Sequence, residues 1–200
     1  MNPIGYDAEF LENGVTIDLM SIGLVAASGD EYYAVCADDQ LICRAAQTPW
    51  MVDNVLSSLP IRMQRDGSTL AVDTSGSPFH RVVWWDWDTG HPDFQHVKPR
   101  RLIAREVKQF IRSYPAPQLW ADFGAYDHVV LCQLFGPMTA LPEGIPMFTC
   151  DIRQEAARLG DPKLPEQESG AHNALADARH VIRQLEFMRH LDLYRTESSW

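Results

Sequence analysis

Ile4-Gly5-Tyr6-Asp7-Ala8-Glu9-Phe10, followed by the turn signal Glu12-Asn13-Gly14, is the stretch that decides the fold. A short apolar run carries two carboxylates two residues apart. In a strand, Asp7 and Glu9 leave the same face. Outward from it, Thr16–Ala27 is rich in Ile, Leu, Met and Val, as a buried strand would be. Ser28-Gly29-Asp30 makes the next turn, and Glu31–Cys36 (E-Y-Y-A-V-C) reads as a third strand. The opening third is therefore a β-meander, and Asp7 and Glu9 sit in a core strand. Two carboxylates sharing one face repel and need solvent, a hydrogen-bond network or a metal. An exposed strand face explains an isolated D-x-E pair. In a core strand, the pair points to a hard-cation site with oxygen ligands.

Beyond the meander lies a polar stretch, then a helix over Pro49–Leu59 with Thr48 as cap and Pro49 at its first position. Residues 66–95 are the least regular. They hold Gly67, Gly76, Pro78, Gly90 and Pro92, and a hairpin is expected around Ser75-Gly76, with Thr69–Asp73 pairing His80–Trp84. Trp84, Trp85 and Trp87 lie in this region beside Asp86 and Asp88, which would repel phosphates. Packing or a subunit contact competes there with base stacking. Pro99–Tyr114 is the clearest helix, with Leu102, Ile103, Val107, Phe110 and Ile111 at the helical period. Arg101, Arg105, Lys108 and Arg112 follow the same period on another stripe. We read this stripe as a solvated face, with phosphate contact as the functional alternative. A strand over Gln118–Phe123, helices from Ala125 and over Thr149–Leu159, a loop over Asp161–Gly170 and a long final helix from Asn173 complete the chain. Strands, helix, strand, then helices favour a mixed sheet with helices packed on it.

Three further positions bear on chemistry. Asp127 opens a helix after a strand, where the helix dipole alone would favour a carboxylate. Asp122, at the strand end, competes with it for any role at a site. His172 and Asp177 are five residues apart, a helical rotation of about 500° that leaves roughly 140° between their directions. If Asn173 caps the helix, His172 lies in the preceding loop and is free to turn toward the face carrying Asp177. The other histidines (His80, His91, His96, His128, His180, His190) show no i,i+4 pairing of the kind a histidine-rich zinc hydrolase uses.

The bulk properties set the frame. The 200 residues suffice for one domain with a real core, and 46% hydrophobic with 22% charged residues is an ordinary globular balance. No apolar run approaches the roughly 20 residues that span a bilayer, and no signal-peptide pattern opens the chain. Cys36, Cys43, Cys132 and Cys150 fit no zinc spacing and read as free thiols in a reducing compartment. A soluble, cytoplasmic protein is expected. The net charge of −10 counts against a general nucleic-acid binder unless carboxylates hold cations and the remaining acidity lies off the substrate path.

Taken in order, Tyr6-Asp7-Ala8-Glu9-Phe10, Ala125-Tyr126-Asp127-His128-Val129-Val130-Leu131 and His172-Asn173-Ala174-Leu175-Ala176-Asp177-Ala178 resemble the three motifs of the DEDDh 3′→5′ exonuclease superfamily. The wider pattern is similar to small bacterial polyadenylate-specific 3′-exoribonucleases. It covers most of the chain outside 66–96, where this sequence is longer. The resemblance implies an α/β, ribonuclease H-like fold. Its mixed five-stranded sheet has the first three strands antiparallel and helices on both faces. Residues 1–200 would form a single exonuclease domain, with a β-hairpin insertion at about 66–96. It also implies two Mg²⁺ or Mn²⁺ ions held by Asp7, Glu9, Asp127 and Asp177, and it selects Asp127 over Asp122. His172 would act as general base, a task suited to a residue type that titrates near neutrality. Phe10 would pack on the terminal base. The implied reaction is two-metal hydrolysis of RNA 3′ ends to nucleoside 5′-monophosphates. Single-stranded DNA is the alternative substrate, and a catalytically silent binding module is the alternative function. A homodimer is a further implication.

Overall fold

The computed structural model describes residues 2–72 and 78–197, and within these the side chains of 2–65 and 82–192. Its centre is a mixed sheet. β1 (Asn2–Glu12) pairs antiparallel with β2 (Ile17–Ala26), and β2 pairs antiparallel with β3 (Glu31–Cys36). β7 (Pro117–Ala121) lies parallel to β1, and β8 (Cys150–Asp151) lies parallel to β7. They match in number the five strands that the resemblance implies, but β8 falls where the sequence reading begins a helix over Thr149–Leu159. A sixth, β6 (Val97–Lys98), runs parallel to β3 and extends the edge, giving the order β6-β3-β2-β1-β7-β8.

Strand alternation sorts the two faces. Ile4, Tyr6 and Ala8 point to one side, where they meet Ile22 and Leu24 of β2. The same cluster takes Ile103, Val107 and Ile111 of α2 (Arg100–Arg112), and Val130 and Leu131 of α3 (Ala125–Gln133). Each such side chain, fully buried, stabilises the fold by about 1.5–3 kcal/mol. Gly5, Asp7 and Glu9 point to the other side, toward α5 (Ala174–Glu197). Two glycines let that helix approach. A Cβ on Gly5 would lie 2.8 Å from Ala178 O, and one on Gly23 only 2.3 Å from Ala174 O. Farther along, Val181, Leu185 and Met188 of α5 pack on α4 (Ile152–Arg158).

Two departures from expectation concern short elements. The polar stretch after β3 contains a helix, α1 (Asp39–Ala45), capped by Asp38 Oδ1 accepting from Leu41 N at 3.0 Å. Its Leu41, Ile42 and Ala45 are buried, but seven residues are too few for a periodic signal. The helical stretch expected over Pro49–Leu59 is irregular, a π-helical turn over Met51–Val55 running into a 3₁₀ turn over Leu56–Ser58. β4 (Ile61–Val72) and β5 (Pro78–Trp87) form a separate antiparallel pair in which Thr69 opposes His80. The expected turn at Ser75-Gly76, and Asp73, lie outside the described residues. Trp85 donates to Cys43 Sγ and Trp87 to Asp39 Oδ1, so both pack the hairpin base on α1, while Trp84 stays exposed. None of the described helices is long and apolar enough to cross a membrane.

Candidate active site

The site opens where β1 and β7 part. Their pairing runs from Asn2 to Gly5 of β1 and goes no farther, which leaves the next amides on that edge without a strand partner. One of them, Ala8 N, donates to Asp127 Oδ1 at 2.9 Å. Asp127 is thus tied to the middle of β1 from the first turn of α3, 119 residues away. Past Glu9 the β1–β2 register shifts, so that Glu9 opposes Ser21 and Phe10 opposes Leu19. A bulge of this kind re-aims the side chains that follow it. Phe10 lies against the site and stacks on Tyr126 with ring centroids 6.1 Å apart and planes 17° from parallel.

On the opposite wall, Asn173 caps α5 as expected. Its Oδ1 accepts from Ala176 N at 3.1 Å, and its carbonyl accepts from Asp177 N. His172 precedes the cap with φ +62°, a left-handed backbone that brings it into the same cleft as Asp177. The five predicted residues Asp7, Glu9, Asp127, His172 and Asp177 all line one cleft of about 310 Å³, together with Phe10. Asp7, Glu9 and Asp177 each offer an oxygen within 4.8 Å of the others. Asp127 borders this group without belonging to it, one of its oxygens being occupied by Ala8 N.

The electrostatics are those of anions short of a counter-charge. Burial, and then the carboxylates of Asp127, Glu9 and Asp177, hold Asp7 well above the usual carboxylate range. Burial, followed by Asp177 and Asp127, pushes Glu9 up to about 8. Burial pushes Asp127 up to about 7 against the pull of the Ala8 amide. Asp177 is also raised by burial, partly offset by the Gln167 side chain, whose Nε2 donates to Asp177 Oδ1 at 2.6 Å. No Lys or Arg lines the cleft among the described residues. The competing Asp122 is held by Arg153 in a bidentate pair with both bonds at 2.6 Å. Buried and half-buried carboxylates that no Lys or Arg faces among the described residues fit a divalent cation with hard oxygen ligands, and Asp7, Glu9 and Asp177 could hold one.

Four contributors escaped the sequence analysis. Gln167 reaches Asp177 from the loop before the final helix. His180, buried and one turn beyond Asp177, lines the same cleft. Ser58 Oγ donates to the carbonyl of His172 at 2.6 Å. The Trp50 ring meets the His172 imidazole edge-on, with centroids 5.0 Å apart. Of these, only the i,i+3 spacing of Asp177 and His180 is visible in the sequence.

The family described as 3′-5′ exoribonuclease Rv2179c-like domain matches residues 2–188. Two relatives from Mycobacterium tuberculosis, 3′-5′ exoribonuclease Rv2179c of strain H37Rv and 3′-5′ exoribonuclease MT2234.1 of strain CDC 1551, are each 36% identical over 189 residues. The match covers 94% of this chain and 93% of each relative. In fold, the chain resembles E. coli exonuclease I in a zinc-bound complex with single-stranded DNA. The TM-score is 0.55 at 11% identity, over 96% of this chain but only 42% of that one. A second exonuclease I complex, with a 5cy-dA13 oligonucleotide, gives a TM-score of 0.52, also at 11% identity, over 97% of this chain and 43% of that one. This likeness bears out the expected α/β, ribonuclease H-like fold. The chain belongs to the Rv2179c-like 3′-5′ exoribonuclease domain family.

Proposed function

We propose that this protein is a metal-dependent exoribonuclease that removes nucleoside 5′-monophosphates from RNA 3′ ends. The observation that carries the proposal is the convergence of Asp7, Glu9, Asp127, His172 and Asp177, from β1, α3 and the start of α5, on one cleft that no Lys or Arg lines among the described residues. Family membership supports the substrate class and polarity. Asp7, Glu9 and Asp177, with Asp127 beside them, would hold two Mg²⁺ or Mn²⁺ ions. Such ions supply charge neutralisation and Lewis-acid activation at a phosphodiester. An imidazole nitrogen of His172 takes the proton of the attacking water as its oxygen bonds to phosphorus. The bond to the 3′ oxygen of the preceding nucleotide then breaks, and the 5′-monophosphate leaves. Phe10, backed by Tyr126, packs on the terminal base and closes the end of the cleft. We take the whole chain as one catalytic domain, with the β4–β5 hairpin as its insertion. The free thiols Cys36, Cys43, Cys132 and Cys150 support a cytoplasmic setting. The exposed apolar side chains Met138, Met147 and Phe148 support a homodimer that covers them.

The test is digestion of a 5′-labelled single-stranded RNA and a matched DNA, each with Mg²⁺, with Mn²⁺ and with a chelator. A metal-dependent ladder shrinking from the 3′ end of RNA is expected. Equal or faster digestion of DNA would make the protein a deoxyribonuclease. No cleavage of either strand by the folded protein would favour a silent binding module.

A further inference from the structure

The outward face of α2 has no part in the site above, and its charge is unusual for this chain. At 100° per residue, Arg101, Arg105, Lys108 and Arg112 fall within an arc of about 60°. Ile103, Val107 and Ile111 bury the far side of the helix. Arg101, Arg105 and Arg112 are exposed and Lys108 is half-buried. The stripe is about 16 Å long, from eleven steps of about 1.5 Å. Its one acidic neighbour on the helix, Glu106, lies off the arc and pairs with Lys98.

A solvated helix face usually alternates its signs, with acids and bases bridging one another. This one carries a single sign, and among the described residues none of its four cations pairs with a carboxylate. Elsewhere pairing is common, as in Arg153 with Asp122, Arg179 with Glu31 and Arg44 with Asp18. In a protein of net charge −10, four adjacent cations outside any close ion pair, of which Arg105 alone acts on the nearby Glu106 carboxylate, stand out as a local reversal of sign. Two shallow depressions share Arg105 and follow the stripe. One is lined by Pro99, Arg101 and Leu102, the other by Lys108, Gln109 and Arg112. α2 packs on the sheet face opposite the one that carries Asp7 and Glu9. It packs in the same layer as α3, whose first turn supplies Asp127 and whose exposed Tyr126 backs Phe10. Through the start of α3, this layer reaches the cleft at Tyr126 and Asp127.

We propose that this face is a second binding surface, which takes the phosphate backbone of the upstream, single-stranded part of the RNA. Its ligand is a polyanion without base specificity, bound through Arg101, Arg105, Lys108 and Arg112. The proposal rests on the reading of the protein as an enzyme acting on RNA. It makes long RNA a better substrate than short RNA, by an amount that salt removes. Each single-strand phosphate contact contributes about −0.7 to the slope of log affinity against log salt. Four contacts over a fourfold rise in salt then correspond to about 50-fold.

The test compares native protein with the variant Arg101→Gln/Arg105→Gln/Lys108→Gln/Arg112→Gln. Its readout is kcat/KM for a trinucleotide and for an RNA of about 30 nucleotides, at about 50 and about 200 mM salt. Trinucleotide turnover should be the same in both proteins. The native preference for the long RNA should fall about 50-fold more between the two salts than the variant's, and the variant's preference should be weak at both. An unchanged length preference and salt slope in the variant would overturn the proposal. So would a variant that keeps the RNA kinetics but changes oligomeric mass in light scattering, which would assign the stripe to an acidic protein surface. If native protein cleaves neither substrate, the exoribonuclease reading fails instead.

Discussion

Gly23→Ala probes the link between fold and site, because the tightest contact that brings the final helix to the sheet is at this residue. A Cβ here would lie 2.3 Å from Ala174 O, 2.5 Å from Ala174 C and 2.6 Å from Leu175 Cα. All three are backbone atoms in the first turn of α5, so no side-chain rotation relieves the clash. Carbon atoms rest about 3.5–4 Å apart, and the start of α5 must retreat by about 1 Å. Overpacking of this kind costs about 1–3 kcal/mol, which for a chain of this size lowers Tm by roughly 2–12 °C. The retreating turn lies between His172 and Asp177, while Asp7 and Glu9 stay with β1. A misplacement of about 1 Å at a reacting centre costs on the order of 10²-fold in rate. The assay is a thermal melt alongside steady-state cleavage of RNA, with Gly90→Ala as control, since a Cβ there meets only the Asp88 side chain at 3.4 Å. A Gly23→Ala protein with native Tm and native kcat/KM would refute the argument. A lowered Tm with native activity would refute the part that ties helix docking to the site.

Other consequences follow from the contacts around the carboxylates. Ser58→Ala removes the donor that holds the left-handed His172 carbonyl. It should lower kcat by roughly tenfold with KM unchanged, and Ser58→Thr should restore the rate in the same steady-state assay. Gln167→Ala frees Asp177 Oδ1 and should raise the Mn²⁺ concentration for half-occupancy, read by calorimetry, by about 10–100-fold. In chelator, Glu9 and Asp127 hold protons up to about 8 and about 7 in the folded protein. The unfolded chain releases them near the ordinary carboxylate values of about 4. Stability is therefore greatest below about pH 4 in this respect and is lost as pH rises toward about 8. Melts in EDTA should show Tm falling across that window and Mg²⁺ flattening the slope; a flat profile in EDTA would contradict the electrostatics.

Much of this architecture was legible because particular residues carried two messages at once. Asp7 and Glu9, two apart in an apolar strand, gave both the strand and a shared face. Asn173 marked the start of the last helix and thereby separated His172 from the helical geometry that would have turned it away from Asp177. What escaped was short or assembled at long range. The seven residues of α1 and the two-residue strands β6 and β8 are below the length at which periodicity speaks. Ser58 reaches His172 across 114 residues, and Gln167 was one polar residue in a polar loop. The roles of Gly5 and Gly23 depend on a helix more than 150 residues later in the chain, which no local pattern announces. Asp122 and Asp127 were not separable by position alone; the Arg153 clamp on one and the Ala8 amide on the other distinguish them.

In the proposed reaction, His172 and the carboxylate set act together on an RNA 3′ end. Single-turnover cleavage of 5′-labelled RNA in saturating Mg²⁺ tests it most directly, with native protein beside His172→Ala, Asp7→Asn and Asp122→Asn. The first two variants, folded by circular dichroism, should lose on the order of 10²–10⁴-fold in rate, while Asp122→Asn should retain most of it. Native rates from folded His172→Ala would rule out His172 as the proton acceptor.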